Sequence, residues 1–388
     1  MPIFEFGQAR SSRSRDRVRS GFGPDSAPLC RPVSIPGAGP QKRPLTTVMS
    51  QTDRSRETPP SPLVDRFQRH VDYLRISVTD RCDLRCVYCM SEDIEFVPRS
   101  QLLTLEELYR VGKCFVDLGV RKIRITGGEP LIRRDVVRLF EQLGALPQLR
   151  ELTLTTNGTL LARYAHSLKA AGVTRINISL DTLQPERFRA ITRRGDLRRT
   201  LAGIDTALEA GFERVKINSV ILKHRNHDEV TELVEFAHAR GLDISFIEEM
   251  PLGLIGDHDR AEAFYPSDQI LRDLQHRYEI LPTTESSGGP SRYYRIDGRR
   301  TRVGFISPHS HNFCDQCNRV RLTAEGRLLL CLGQEHSVDL RRIVRSHPLE
   351  DEPLRKAIVG SMEIKPKGHE FDLSAKPVIF RHMNASGG

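Results

Sequence analysis

"LRISVTDRCDLRCVYCM", residues 74–90, opens as an alternating run of apolar and polar residues and ends in three cysteines spaced C-x3-C-x2-C. Period-two alternation marks a strand whose two faces meet different surroundings. Cys82, Cys86 and Cys89 therefore fall on the loop that leaves the strand's C-terminal end. Structural zinc takes four protein ligands, and a zinc ribbon would bring a second CxxC pair close by. Three thiolates in one short loop suit a cubane [4Fe–4S] cluster with one iron open to an exchangeable ligand. Reduced structural cysteines or a zinc site are the plainer alternatives.

Outward from this stretch the strand signal recurs at 121–126, 151–156, 174–180, 214–220 and 243–249. Helical patterns such as "TLEELYRVGKCFVDLG" and "LRRTLAGIDTALEAG" lie between, many followed by the glycine expected just past a helix end. Six strand-helix units predict an α/β fold with parallel strands and helices outside. Either an open doubly wound sheet or an incomplete (β/α)6 TIM-like barrel fits, and both put active sites at the C-terminal ends of the strands. After about residue 250 the rhythm breaks. "SRYYRID" (291–297) and "TRVGFIS" (301–307) read as an antiparallel pair, and a helix is expected over 337–346. Three parts follow: a disordered Arg/Ser/Pro-rich tail over 1–62, a core over 63–250, and an appendage over 251–388 laid across that core.

The chain has 388 residues and a formal net charge of +9. Residues 1–60 hold nine Arg and one Lys against five acids, so the remainder is only mildly basic. Trp is absent and no aromatic-basic interleaving occurs, which argues against nucleic-acid binding, while a nucleotide substrate explains the charge of the body equally well. No apolar run approaches the roughly 20 residues of a membrane span. Six of the eight cysteines form two triplets, which in a long chain without a secretory signal favours metal ligation in a reducing compartment over disulfides. The basic start of the chain reads either as a targeting segment or as an over-long start, Met49 opening a second polar N-terminus.

The second triplet, "FCDQCNRVRLTAEGRLLLCL", places Cys314, Cys317 and Cys331 at C-x2-C-x13-C. It reads as another cluster with an open iron, or as a zinc site completed by His309 or His311. Arg319 and Arg321 in the same segment suit phosphates. Cys114 occupies an apolar helix position and Cys30 lies in the tail, so neither is read as a ligand.

C-x3-C-x-aromatic-C, with Tyr88 at the aromatic position, resembles the motif of the radical S-adenosylmethionine (SAM) superfamily, and "TGGEP" (126–130) its glycine-rich SAM segment. With "LTTNG", "INISLDTL", "FIEEMPLG", the second triplet and the closing Gly387-Gly388, residues 64–388 resemble the GTP 3',8-cyclase family of molybdenum cofactor biosynthesis. Two departures stand out: Asp83, where that family commonly has Asn, and Ser386, where it often has Ile.

The resemblance implies two [4Fe–4S] clusters, on Cys82, Cys86 and Cys89 and on Cys314, Cys317 and Cys331, and SAM against Tyr88, Gly128, Ser179 and Met250. Gly127 and Gly128 are read as bare backbone approached by the methionine amino group. It implies GTP against Arg75, Arg124, Thr155, Lys216, Arg319 and Arg321, with Val320 supplying backbone or packing. One cluster and SAM would generate a 5'-deoxyadenosyl radical that takes the 3' hydrogen of GTP, and C3' would then attack guanine C8. Arg75, Gly387 and Gly388 would assist at the reacting centre. A reduced flavodoxin- or ferredoxin-type donor, a downstream cyclic pyranopterin monophosphate synthase and a homodimer are further implications, in the cytoplasm, or in mitochondria if the tail is a targeting segment.

Overall fold

The computed structural model describes residues 63–373 and 379–387. The expected disordered tail and Gly388 lie outside the described residues. The six expected strands form as β1 (Tyr73–Ser77), β2 (Lys122–Thr126), β3 (Glu151–Thr156), β4 (Arg175–Ser179), β5 (Arg214–Val220) and β6 (Asp243–Ile247). Helices alternate with them: α1 (Leu105–Asp117), α2 (Val136–Gly144), α3 (Leu161–Ala170), α4 (Pro185–Thr192), α5 (Leu197–Glu209) and α6 (Val230–Ala239). Local chemistry sets their ends. Thr104 and Glu107 close a reciprocal capping box ahead of α1, and Gly172 and Gly241 turn the chain out of α3 and α6 at φ of 86° and 66°.

Each of β1 to β6 pairs in parallel with the next in chain order. Crossovers between parallel strands are right-handed, so steps taken always in one direction lay every helix on the same face of the sheet. A doubly wound sheet needs a reversal of strand order to bring helices to both faces. The unbroken order therefore selects the incomplete barrel. Its outer strand face is apolar and buried under the helices: Leu74 and Ile76 of β1, Ile123 and Ile125 of β2, Leu154, Ile176 and Ile217 pack in one core with Phe115 and Phe140. Full burial of each such side chain contributes about 1.5–3 kcal/mol. The alternating positions carry Arg75, Arg124, Thr155, Asn177 and Lys216, so the interior is polar.

The chain beyond residue 250 does not lie across this sheet but extends it at both edges. The sheet is twelve-stranded, with β7 (Ile280–Pro282), β8 (Arg292–Ile296) and β9 (Arg302–Ile306) beyond β6 and β10 (Arg319–Leu322), β11 (Arg327–Leu329) and β12 (Ser337–Asp339) beyond β1. An open edge leaves a row of backbone donors and acceptors unpaired, and β9 on β6 and β10 on β1, both parallel, satisfy them. The expected antiparallel pair is β8 with β9. The expected helix over 337–346 begins later, at Leu340, because residues 337–339 pair with β11 and the Asp339 carboxylate caps the helix at the Arg342 N–H. No helix among the described residues is long and apolar enough to cross a membrane.

Candidate active site

The polar inner face of the barrel and the loops at its two ends enclose an open chamber with about 1880 Å³ of empty space counted out to its mouth. All six cysteines of the two triplets line this chamber, as do Arg75, Tyr88, Gly128, Thr155, Ser179, Met250, Arg319, Val320 and Arg321. Arg124 and Lys216 do not reach its lining: Arg124 donates to Thr155 Oγ1 and to the Tyr73 hydroxyl, and Lys216 to Ser245 Oγ.

The first cysteine loop is fastened from two sides. Backbone N–H groups of Arg85 and Val87 donate to Thr192 and Ile191 at the end of α4, and a tight turn closes from Cys89 N to Cys86 O at 2.9 Å. Asp83 accepts from Asn157 Nδ2 at 2.7 Å and Thr159 Oγ1 at 2.6 Å, tying the loop to the end of β3. Leu84 N and Asn157 Nδ2 stand 3.3 and 3.7 Å from Cys82 Sγ, donors suited to a thiolate. Burial pushes all three thiols up, Cys89 to about 12, with Glu129 adding to the effect on Cys82 and Cys89 to that on Cys86. Metal binding here must therefore release protons.

Gly128 is required for a reason the motif does not give. A Cβ there would stand 2.3 Å from Arg81 O and 2.8 Å from Asp80 O, and its N–H already donates to Thr79 O. The glycine lets the TGGEP turn lie directly against the backbone of the cysteine loop. Tyr88 donates its hydroxyl to Asp181 Oδ2 at 2.7 Å, and Asp181 Oδ1 accepts from Val220 N at 2.8 Å. Burial raises the Asp181 carboxyl to about 6. Asn157 and Asp181 were not singled out as site residues from sequence, although both lie inside quoted motifs, "LTTNG" and "INISLDTL".

Between the two triplets runs a cationic wall. In the strand register Arg75 stands beside Arg124 on one side and Arg321 on the other, and Tyr73 stands between Lys122 and Arg319. Like charges directly opposite one another on adjacent strands are destabilising. Burial, with Arg124 and Arg319 alongside, lowers Arg75 to about 10, and burial, then Arg75 and Arg319, lowers Arg321 well below its ordinary range. Burial pushes the Tyr73 phenol up, but Arg124, Arg75 and Lys122 outweigh it and bring the hydroxyl to about 7. An anion set against this wall would relieve that repulsion.

The second triplet sits at the opposite end. Cys317 lies two residues before Arg319, the first residue of β10, which pairs with Tyr73 at the start of β1, whereas Cys82 lies beyond the end of β1. Four strand steps of about 3.3 Å put those ends roughly 13 Å apart. Sequence reading gathered the site at one end of the strands; the parallel pairing of β10 gives it two. Burial pushes the Cys317 thiol up, but Arg319 and Lys365 outweigh it and bring it to about 7. The proposed zinc ligands point elsewhere, His309 Nε2 lying 2.8 Å from Glu249 O and His311 Nε2 2.7 Å from Asp268 Oδ1. Among the described residues no three His, Cys, Asp or Glu side chains converge on a single-ion site. A cubane holds each thiolate on a different iron and does not need that convergence.

The segment Met383–Gly387 enters the same space. Met383 N donates to Cys89 O, Asn384 Nδ2 to Asp80 O at 2.7 Å, and Arg321 Nη1 to Gly387 O at 2.8 Å. Gly387 adopts φ 75°, and a Cβ on it would meet Thr126 Oγ1 at 1.9 Å.

Residues 76–237 match the Radical SAM superfamily and residues 242–371 match Molybdenum Cofactor Synthesis C. The chain is 59% identical over 333 residues to a GTP 3',8-cyclase of Pseudomonas entomophila, covering 86% of this chain and 100% of that protein. It is 56% identical over 328 residues to a GTP 3',8-cyclase of Saccharophagus degradans, covering 84% and 99%. The crystal structure of Streptococcus suis SuiB bound to S-adenosylmethionine shares the fold, with a TM-score of 0.54 at 16% identity over 81% of this chain and 77% of that one. Two cysteine triplets across a cationic chamber, a radical SAM barrel and 56–59% identity to these enzymes over 84–86% of the chain lead to one conclusion: the chain belongs to the GTP 3',8-cyclase family.

Proposed function

We propose that the chain is a GTP 3',8-cyclase that holds a [4Fe–4S] cluster on each cysteine triplet and joins ribose C3' of GTP to guanine C8. One observation carries the reading: two three-thiol sets open onto opposite ends of one chamber, with Arg321 and Arg75 abreast between them. The thiol sets fit their groups, since each offers three ligands and leaves a position for a small molecule. When bound, the first cluster and SAM supply a carbon-centred radical after one-electron reduction by a flavodoxin- or ferredoxin-type donor.

The residues of the chain bind and orient. Tyr88, fixed by Asp181, flanks the adenine, Ser179 bonds the ribose or carboxylate of SAM, and Met250 adds an apolar contact. Gly128 brings the methionine end against the cysteine loop. Arg75, Arg319 and Arg321 take the triphosphate with bidentate donors, Thr155 is oriented by Arg124, and Lys216 adds positive field from below. Val320, buried in β10, packs behind the two arginines. The guanine faces the second triplet, so the ribose lies toward the first. Gly387, held by Arg321, brings bare backbone to the reacting centre. A homodimer and a downstream cyclic pyranopterin monophosphate synthase complete the proposal.

Anaerobically reconstituted protein incubated with SAM, dithionite and GTP deuterated at ribose C3' tests it. Deuterium should appear in 5'-deoxyadenosine. Unlabelled 5'-deoxyadenosine, formed at a rate indifferent to GTP, would assign the radical to another substrate.

A further inference from the structure

Lys365 is 1% exposed, an unusual burial for an ammonium group. Its Nζ donates to Leu330 O at 2.7 Å and to Arg319 O at 3.1 Å, and it lies 3.8 Å from Cys317 Sγ. Two of its three protons thus tie together the arms of the β10–β11 hairpin, one leading back to Cys317 and the other on to Cys331. The third points at a ligand sulfur. Arg69 makes the complementary tie, donating to Cys314 O at 2.7 Å and to Pro366 O and Lys367 O at 2.7 and 2.6 Å. Residues 365–367 are thereby stitched to all three stretches that carry the second triplet.

The carbonyl ties alone do not account for a lysine. A buried ammonium is costly unless an anion stands near it. Among the described residues no carboxylate forms an ion pair with Lys365, and Asp65, which acts on it at a distance, is committed to Arg69 at 2.7 Å. The anion within reach is the Cys317 thiolate and whatever negative charge it helps to hold.

We infer that Lys365 is a positioning residue for the second triplet, which spaces the Cys317 and Cys331 arms and, through its charge on the Cys317 sulfur, favours the reduced form of the cluster held there. The inference rests on the second cluster of the proposed function. One-electron reduction adds a negative charge to the cluster, and hydrogen bonds and cations at ligand sulfurs raise its potential by stabilising that charge.

The test uses full-length protein in which Cys82→Ala, Cys86→Ala and Cys89→Ala leave the second cluster to be read alone. Iron per chain and an EPR-monitored redox titration are measured for this parent, with Lys365→Met and with Lys365→Arg. Lys365→Met is expected to shift the reduction equilibrium at least tenfold against the reduced form, about 59 mV more negative for one electron, while Lys365→Arg stays near the parent. A loaded Lys365→Met cluster at the parental potential overturns the inference, as do equal shifts in both variants, which would make shape the cause. If Lys365→Met keeps its circular dichroism but binds no iron, a loaded Lys365→Arg supports the role of the charge and an empty one overturns it. A parent that binds no iron removes the second cluster itself, and this inference with it.

Discussion

Gly387→Ala isolates the docking of the tail from everything else in the chamber. At φ 75° a non-glycine residue is strained, and the added Cβ would lie 1.9 Å from Thr126 Oγ1 and 2.9 Å from Thr126 Cβ. Thr126 is 1% exposed at the end of β2, next to the TGGEP turn, and has little room to give. Backbone strain of this kind costs about 1–3 kcal/mol. Withdrawal of the tail also leaves the half-buried Arg321 guanidinium without its bond to Gly387 O, and a hydrogen bond to a charged group contributes about 1.5–3 kcal/mol. That bond is common to parent and variant and cancels, so a strain penalty near 2 kcal/mol alone makes docked tails roughly 30-fold rarer, at 1.4 kcal/mol per tenfold. Turnover of GTP should fall by a similar factor, at unchanged iron content and unchanged thermal midpoint, because neither triplet is touched. The assay is formation of 5'-deoxyadenosine and cyclised product in anaerobic single turnover. A variant that cyclises at the parental rate would refute the reasoning and return Gly387 to a passive end.

Gly128→Ala forces the backbone of Arg81 and Asp80 away from the TGGEP turn, so iron after reconstitution should fall from about eight to about four per chain; full loading would show that the cysteine loop tolerates the displacement. Asp181 gives a pH signature in the metal-free protein. Its carboxyl is raised to about 6 by burial, so its contribution to stability is full below the ordinary carboxylate range and is lost as pH rises through about 6. Between about pH 4 and 6 the urea midpoint of the parent should lose ground relative to that of Asp181→Asn. Parallel midpoints across that window would mean that the acid titrates normally.

Much of the site was legible because its signals are local. The spacing of Cys82, Cys86 and Cys89 states their number and their place after a strand without reference to anything distant, and "TGGEP" one unit later does the same. Asp83 shows the limit. A change from the usual Asn reads as neutral, yet its carboxylate clasps Asn157 and Thr159, residues more than seventy positions away. Lys365 gave no signal, since the first of two lysines in "EIKPKG" looks as solvated as the second until the fold buries it between two strands.

The sequence by itself determined the six strand-helix units and the two three-thiol sets. Period-two alternation and short spacings record the surroundings of each residue within one element. Only the tertiary structure decided that the units wind as an incomplete barrel and not a doubly wound sheet, that β9 and β10 extend its two edges, and that the triplets face each other from opposite ends. Those outcomes depend on which strand edges pair. Backbone hydrogen bonds make that choice between Tyr73 and Asn318 as readily as between near neighbours, and the backbone carries no side-chain pattern by which to announce it.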